Sequence, residues 1–255
     1  MVFVQITDPQ FGMHTGDQEF AQETANFEFA IATVNRWKPD FVIITGDLVN
    51  KPGDPAQIAE YLRIKKQIAG SIPVYDLPGN HDIGNAPTPE TLAFYRKTFG
   101  RDYYSFRQGE FAGVVINTTI IHTPGAVTAE VAKQRAWLDT ELASLRAAGA
   151  KPIVLFQHHP WFTMKVAEPD GYFNLPLAVR EDYMALLRKH GVKQAFAGHT
   201  HRGYRAEDAG IEMVVNGPVG MPLSPEGSGV RVCVVKGDRV EHAFHPLHRL
   251  PNKIR

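Results

Sequence analysis

Short apolar runs alternate with longer amphipathic segments over the first 200 residues of the chain. The apolar runs predict strands over 2–7, 40–45, 72–77, 111–117, 152–157 and 193–198. Between the first two runs, apolar residues such as Phe20, Phe27, Ile31 and Val34 recur at helical spacing. Similar spacing predicts helices over 56–69, 88–98, 128–147 and 176–190. This alternation is typical of βα units and predicts a largely parallel inner core.

The pattern changes in the last fifth of the chain. Residues 203–246 contain strand-like runs without a long helix between them, which predicts a β-meander that forms a second sheet. The predicted fold is therefore α/β, a two-sheet sandwich flanked by helices. With no repeat, low-complexity tract or linker, a single domain over 1–255 is expected. The aromatic stretch 160–176 is a long predicted loop, and long ordered loops are often functional.

Composition narrows the classes of partner. Lys+Arg and Asp+Glu number 27 each, so the balanced charge favours neither nucleic acid nor an anionic membrane surface as a partner. Cys233 is the only cysteine, which excludes an internal disulfide and fits a reducing compartment. No apolar run reaches the roughly 18 residues of a membrane helix, and no signal peptide is recognisable. We expect a cytoplasmic monomer.

Metal-capable side chains follow five of the predicted strands. They stand in the segments Asp8, Gly46-Asp47, Gly79-Asn80-His81-Asp82, His158-His159 and His199-Thr200-His201. Each segment alone is at least as typical of a turn or a packed histidine as of a metal site. Five such segments after five strands are hard to attribute to turns alone, because carboxyl ends of parallel strands share one edge where sites form. The sequence therefore predicts a metal centre there.

These motifs resemble the calcineurin-like metallophosphoesterase family in identity and order over residues 8–201. The stretches DPQFG, QHHPWF and GHTHR are also similar to the calcineurin-like phosphoesterase domain-containing proteins, a group that includes an animal phosphatase acting on protein kinase B. The resemblance implies a fold with α/β/β/α layers and two divalent metal ions. It implies hydrolysis of phosphoric esters by a metal-bridging hydroxide, most simply of a phosphomonoester in a phosphoprotein or a small molecule.

The resemblance also implies a role for each motif residue. The metal ligands would be Asp8, Gln10, Asp47, Asn80, His158, His199 and His201, with Asp47 bridging the two ions. His81 would contact the phosphoryl group and assist the leaving group. Asp82 would either orient the His81 imidazole or serve only as a turn residue. His159 is expected to be structural or to support a ligand, because the family pattern places the ligand first in the pair.

Gln10 departs from the family, most of which has histidine at this position. An amide oxygen suits harder cations than an imidazole does, so Mn²⁺ is favoured among Mn²⁺, Fe²⁺, Zn²⁺ and Mg²⁺. Three arrangements fit the sequence. Gln10 binds the metal directly, binds it through a water molecule, or leaves a position that His14 fills.

Other residues near the motifs are candidates for substrate binding. Asn50, Trp161 and Arg202 each follow a ligand segment closely, although packing explains an aromatic residue there equally well. Tyr172 and Phe173 on the long loop are candidates for covering the pocket. Two alternatives to the phosphomonoesterase stay open from sequence. They are a phosphodiesterase of the cyclic-nucleotide type and a scaffold that binds metal but is catalytically weak.

Overall fold

The computed structural model describes residues 1–254, in which eleven strands form two sheets. The first sheet has the order β11-β10-β1-β2-β3. Its strands are β1 (Val2–Ile6), β2 (Phe41–Thr45), β3 (Val74–Leu77), β10 (Gly229–Lys236) and β11 (Arg239–Pro246). The three strands β1, β2 and β3 are parallel, and β10 pairs with β1 in the antiparallel direction. The carboxyl ends of three strands therefore share one edge of this sheet.

The second sheet has the order β4-β5-β6-β7-β9-β8. Its strands are β4 (Tyr104–Gln108), β5 (Phe111–Val115), β6 (Ile153–Phe156), β7 (Gln194–Ala197), β8 (Tyr204–Asp208) and β9 (Ile211–Val215). The four central strands β5, β6, β7 and β9 are parallel, and an antiparallel strand closes each side. The predicted parallel inner core is present in both sheets.

Helices lie between most of the successive strands up to β7. They are α1 (Ala21–Trp37), α2 (Pro55–Lys65), α3 (Asn80–Ile83), α4 (Pro89–Thr98), α5 (Thr118–His122), α6 (Thr128–Ala147) and α7 (Leu177–Lys189). Local chemistry sets where two of them begin. The Asp54 carboxylate accepts hydrogen bonds from two backbone N–H groups at the start of α2, and Thr88 forms a capping box at the start of α4. None of the helices within residues 1–254 is long and apolar enough to cross a membrane.

The side chains of β1 alternate between two layers of the core. Phe3 packs between the sheets, stacked on Phe41 with ring centroids 4.6 Å apart and edge-on to Phe156 and Phe196 of the opposite sheet. Val4, on the other face of β1, belongs to the core that includes residues of α1. This period-two alternation generates α/β/β/α layers, as expected. This aromatic layer holds the two sheets face to face, so the carboxyl ends of their parallel strands lie side by side.

The prediction that residues 203–246 form a separate second sheet is wrong. Strands β8 and β9 extend the sheet of β6 and β7, whereas β10 and β11 cross to the sheet of β1. The first five residues of β10 are all buried. This suits a strand that lies between β1 and β11 in a sheet covered on both faces. Strand β4 has no counterpart among the predicted strands. The other predicted strands are present, each shorter by one to two residues.

Candidate metal centre

Residues from both sheets converge at the edge where the parallel strands end. The first sheet contributes Asp8, Asp47 and Asn80, and the second contributes the histidines that follow β6 and β7. Ligand atoms within each of two groups lie within 4.8 Å of one another. We call Asp8, Asp47 and His201 the first group, and Asp47, His158 and His199 the second group. Asp47 belongs to both groups, as expected of a bridging carboxylate.

Each of the three histidines has one ring nitrogen bonded to a backbone carbonyl. The distances are 2.9 Å from His158 Nδ1 to Thr45 O, 3.0 Å from His199 Nε2 to Tyr172 O and 2.5 Å from His201 Nδ1 to Met221 O. A carbonyl only accepts, so that nitrogen carries a proton and the other nitrogen is the one that a metal can bind. The three imidazoles are thus held in tautomers that suit metal binding.

The free nitrogens of two histidines face carboxylates. His158 Nε2 is 3.2 Å from Asp47 Oδ2, and His201 Nε2 is 3.7 Å from Asp8 Oδ1. Within residues 1–254, these histidines are the only ion-pair partners of the two buried carboxylates. Buried carboxylates need compensating positive charge, which a cation between these atoms supplies.

Electrostatics of the cluster reflect this need for positive charge. Burial raises the pKa of Asp8, whereas the His158 imidazole lowers that of Asp47 despite the burial of its carboxylate. Burial disfavours the His158 imidazolium, yet the Asp47 carboxylate raises its pKa to about 9. Burial, together with repulsion by His158, lowers the pKa of His199 to about 3. A proton on the His158 imidazole therefore supplies positive charge at the place that a bound cation would occupy.

Backbone conformation at the centre is unusual. Asp8, Gln10, Asp47, His199 and His201 have φ between 40° and 73°, and they are five of the eight non-glycine residues with positive φ within residues 1–254. This region costs L-residues about 1–2 kcal/mol each and occurs preferentially at functional sites. The left-handed turns aim successive side chains from the strand ends into one small volume.

Two candidate ligands, Asn80 and His199, each follow a glycine, and these glycines leave room for a carboxylate of the site. A Cβ atom on Gly79 would lie 2.1 Å from Asp47 Oδ1, and one on Gly198 would lie 2.6 Å from Asp8 Oδ2. A methyl group at either position would therefore displace a carboxylate. This explains why the GNHD and GHTH motifs begin with glycine.

Gln10 presents a buried amide oxygen without a partner. Its Nε2 donates to Asn50 Oδ1 at 3.1 Å, while Oε1 has no hydrogen-bond partner within residues 1–254 and the residue is 1% exposed. Its backbone N–H donates to the backbone carbonyl of Asp47 at 3.0 Å, which fixes the Gln10 backbone beside that of Asp47. An orphaned buried oxygen is costly unless a cation or water satisfies it. With carboxylates, imidazoles and the Asn80 amide, it completes a donor set that fits divalent first-row cations.

His14 does not replace Gln10. It is exposed, and neither of the two groups found within residues 1–254 includes it. The arrangement in which His14 fills a gap is therefore not supported, while direct binding by Gln10 and binding through water both fit.

Asp82 does not orient His81. Its carboxylate accepts hydrogen bonds from the backbone N–H groups of Leu48, Val49 and Gly79 at 2.7 to 3.2 Å. His81 Nδ1 instead lies 2.6 Å from the carbonyl oxygen of Asn50. The expectation of a catalytic Asp82 is wrong in this respect, because backbone donors satisfy both carboxylate oxygens. Asp82 fixes the turn that carries His81.

The three predicted substrate residues have different environments. Trp161 is fully buried and packs on Tyr183 with ring centroids 4.8 Å apart, so it is a core residue and does not line the site. Asn50 uses both ends of its side chain to bind Gln10 and Asp17. Only Arg202 is exposed, with Nε donating to Leu223 O. Of the three, Arg202 alone is available to an anionic substrate.

The loop 160–176 contacts the second group directly. The Tyr172 ring lies 4.9 Å from the His199 ring and the Phe173 ring 5.8 Å from it, and both aromatic residues are exposed. Buried Arg180 of α7 donates to the carbonyls of Val166, Glu168 and Leu175 and so fixes the loop. Arg180 was not among the residues predicted from the sequence. A charged residue at a buried position of an otherwise amphipathic helix was the available signal.

His159 supports a ligand without belonging to either group. It is buried, its ring lies 4.2 Å from that of His199, and burial holds its pKa well below the usual range. Thr118 Oγ1 accepts from the backbone N–H groups of both His158 and His159, which sets the direction of the turn. This geometry agrees with the choice of His158 as the ligand.

Comparisons with known proteins bear on what this centre does. A family model described as calcineurin-like phosphoesterase matches residues 1–203. Serine/threonine-protein phosphatase CPPED1 of Bos taurus is 35% identical over 266 residues, which cover 98% of this chain and 85% of that protein. A probable cyclic nucleotide phosphodiesterase of Rhodopseudomonas palustris is 29% identical over 262 residues, covering 94% and 90%. The crystal structure of a dimetal phosphatase from Danio rerio superposes with a TM-score of 0.64 at 16% identity, covering 96% of this chain and 98% of that one.

Proposed function

The chain belongs to the calcineurin-like phosphoesterase family and is a metal-dependent phosphatase, and we propose that it acts on phosphoserine or phosphothreonine in proteins. The observation that carries the proposal is the pair of ligand groups sharing Asp47, in a chain similar over 98% of its length to a protein named a serine/threonine-protein phosphatase. Exposed Tyr172 and Phe173 beside His199 support a substrate with an extended organic part.

The residues that would hold two divalent cations are those of the two groups together with Gln10 and Asn80. Bound there, the cations would neutralise phosphoryl oxygens and lower the pKa of the attacking water. The protein supplies orientation, because backbone carbonyls fix three imidazoles and left-handed turns fix the carboxylates. His81 is anchored through Nδ1 on the Asn50 carbonyl. Its Nε2 is then the atom that contacts the phosphoryl group or gives a proton to the leaving oxygen.

Finer properties belong to the same proposal. Three of the donors around the first group are oxygens, from Asp8, Gln10 and Asp47, which supports Mn²⁺ over softer cations. Balanced charge supports the proposal that neither nucleic acid nor an anionic membrane surface is a partner. Cys233, the single cysteine, is buried and unpaired, in keeping with a reducing compartment.

The test compares three substrates on protein stripped of metal and refilled with one cation at a time. We expect turnover of p-nitrophenyl phosphate and of a phosphoserine peptide, highest with Mn²⁺, and little turnover of bis-p-nitrophenyl phosphate. Asp47→Ala should abolish turnover, whereas Asp182→Ala, which removes an exposed carboxylate on α7, should not. Turnover of p-nitrophenyl phosphate without turnover of the peptide would overturn the protein-substrate proposal.

A phosphodiesterase is the second candidate. The similarity to a protein named a probable cyclic nucleotide phosphodiesterase, 29% identical over 94% of the chain, favours it. Faster turnover of bis-p-nitrophenyl phosphate than of the monoester, lost in Asp47→Ala, would support this candidate. The catalytically weak scaffold has less support, because both ligand groups and His81 are intact.

A further inference from the structure

A chain of hydrogen bonds links Gln10 to a carboxylate at the surface. Gln10 Nε2 donates to Asn50 Oδ1 at 3.1 Å, and Asn50 Nδ2 donates to Asp17 Oδ1 at 2.9 Å. Gln57 Nε2 also donates to Asp17 Oδ1, at 2.7 Å. We call Asp17, Asn50 and Gln10 the Asp17 relay. It runs from an exposed carboxylate through a half-buried amide to a buried one.

The relay has only one direction. A carboxylate accepts hydrogen bonds and cannot donate them, so Asn50 must turn its NH₂ toward Asp17 and its oxygen toward Gln10. Gln10 must then turn its NH₂ toward Asn50. The oxygen of Gln10 is left as the end without a partner, which is the atom that the structure shows buried and unsatisfied. Reversing either amide would place two acceptors or two donors against each other.

The surrounding backbone is built around Asp17. Its N–H donates to Gly12 O at 2.8 Å, and its φ is 68°. A Cβ atom on Gly12 would lie 2.8 Å from Asp17 Oδ1 and 2.7 Å from Gln57 Nε2. Gln57 is fixed in turn, because its Oε1 accepts from the backbone N–H groups of Asn50 and Lys51. The glycine of the DPQFG stretch therefore leaves room for the anchor of the relay.

We propose that Asp17, acting through Asn50, fixes the Gln10 side chain so that Oε1 and not Nε2 faces the first group. Asp17 is then a positioning residue for the cation of the first group. The proposal rests on the metal-dependent function. It concerns how the side chain of Gln10, at a position where most of the family has histidine, is oriented toward the cation. An amide nitrogen facing a cation would repel it, so the direction of the relay decides whether Gln10 is a ligand at all.

The test is the affinity for Mn²⁺, measured by isothermal titration calorimetry on metal-stripped protein. Asp17→Asn keeps the shape of the side chain but allows it to donate, so Asn50 is free to reverse and capture Gln10 Oε1. We expect the affinity of one of the two Mn²⁺ ions to fall about 10-fold, as for other residues that orient ligands, and the other to stay unchanged. Asp54→Asn removes the same charge from a neighbouring carboxylate outside the relay and should leave both affinities unchanged.

A double variant separates orientation from charge. In Gln10→Ala, the ligand oxygen is gone, so adding Asp17→Asn should weaken Mn²⁺ binding no further. If Asp17→Asn fails to fold, Asn50→Ala takes its place under the same criterion, because it leaves the Gln10 amide without an anchor. An equal loss with and without Gln10, a similar loss in Asp54→Asn, or no loss in Asp17→Asn would overturn the proposal. If the wild-type protein binds no Mn²⁺, both the positioning proposal and the preference for Mn²⁺ are overturned.

Discussion

The two ligand groups that share Asp47 differ in how fully their donor atoms are held. In the second group, backbone carbonyls fix both imidazoles, and the Asn80 amide donates its NH₂ to Asn85. Beside the first group, Gln10 Oε1 has no hydrogen-bond partner in the described part of the chain, and His201 Nε2 lies 3.7 Å from Asp8 Oδ1. The second group thus has its geometry in place before a cation binds. We expect it to bind its cation more tightly than the first group does.

Removing the shared residue should have the largest effect. Asp47→Asn leaves an acceptor in place but takes the bridging charge from both groups. We expect kcat/KM on p-nitrophenyl phosphate to fall about 1,000-fold or more, which corresponds to about 4 kcal/mol of lost transition-state stabilisation. Metal content after dialysis should fall below two ions per chain. If the variant kept both ions and full turnover, Asp47 would not be the bridging ligand.

Loosening the loop 160–176, which contacts His199, should weaken the tighter cation binding that we expect at the second group. Arg180→Met leaves the carbonyls of Val166, Glu168 and Leu175 without their buried donor. We expect the free energy of unfolding to fall by about 3 kcal/mol in urea denaturation. The tighter Mn²⁺ site should weaken about 10-fold, because the Tyr172 carbonyl no longer holds His199. Arg188→Met on the exposed side of α7 is the matched control. A loss of stability with unchanged affinity would show that the loop does not position His199.

An imidazole at position 10 should change the metal preference of the first group. Gln10→His replaces an oxygen donor by a nitrogen donor, and we expect the weaker site to gain about 10-fold in its preference for Zn²⁺ over Mn²⁺. Competition between the two metals, followed by calorimetry, measures this ratio. The tighter site serves as the internal control and should keep its preference. An unchanged ratio at both sites would argue against Gln10 as a direct ligand.

A left-handed residue outside the centre should show the smallest effect. Ala209, in the turn between β8 and β9, has φ 51° and belongs to neither group. Ala209→Gly removes the steric cost of this conformation, so we expect about 1 kcal/mol more stability in urea denaturation and unchanged turnover. Ala148→Gly, at a residue with φ –80°, should give no such gain. Equal effects at both positions would show that left-handed backbone carries little strain in this fold.

The strands and helices were largely predictable because their apolar spacing is local information. The helix predicted over 128–147 matches α6 at both ends. Which sheet a strand joins was not predictable, because β10 pairs with β1 across more than 200 residues and its apolar run fits either sheet. The single domain over 1–255 stays a prediction.

The candidate ligands were predictable for a similar reason, since each follows a strand in a recognisable motif. The direction of individual side chains was not. Asp82 stands beside His81 in sequence, yet backbone N–H groups bind its carboxylate, and Trp161 follows a ligand turn but points into the core. Neighbouring residues share a turn, but competition among nearby donors and packing decides where each side chain goes.

The ligands of each group come from both sheets, so a bound cation acts as a cross-link between them. Thermodynamic linkage then makes metal binding part of the folding free energy: a cation at 100 times its dissociation constant adds about 2.7 kcal/mol to the stability of the folded state. The two groups would each hold one cation, so chelation should lower the melting temperature in two steps, one for each ion. The melting temperature should therefore rise with the concentration of metal around the protein.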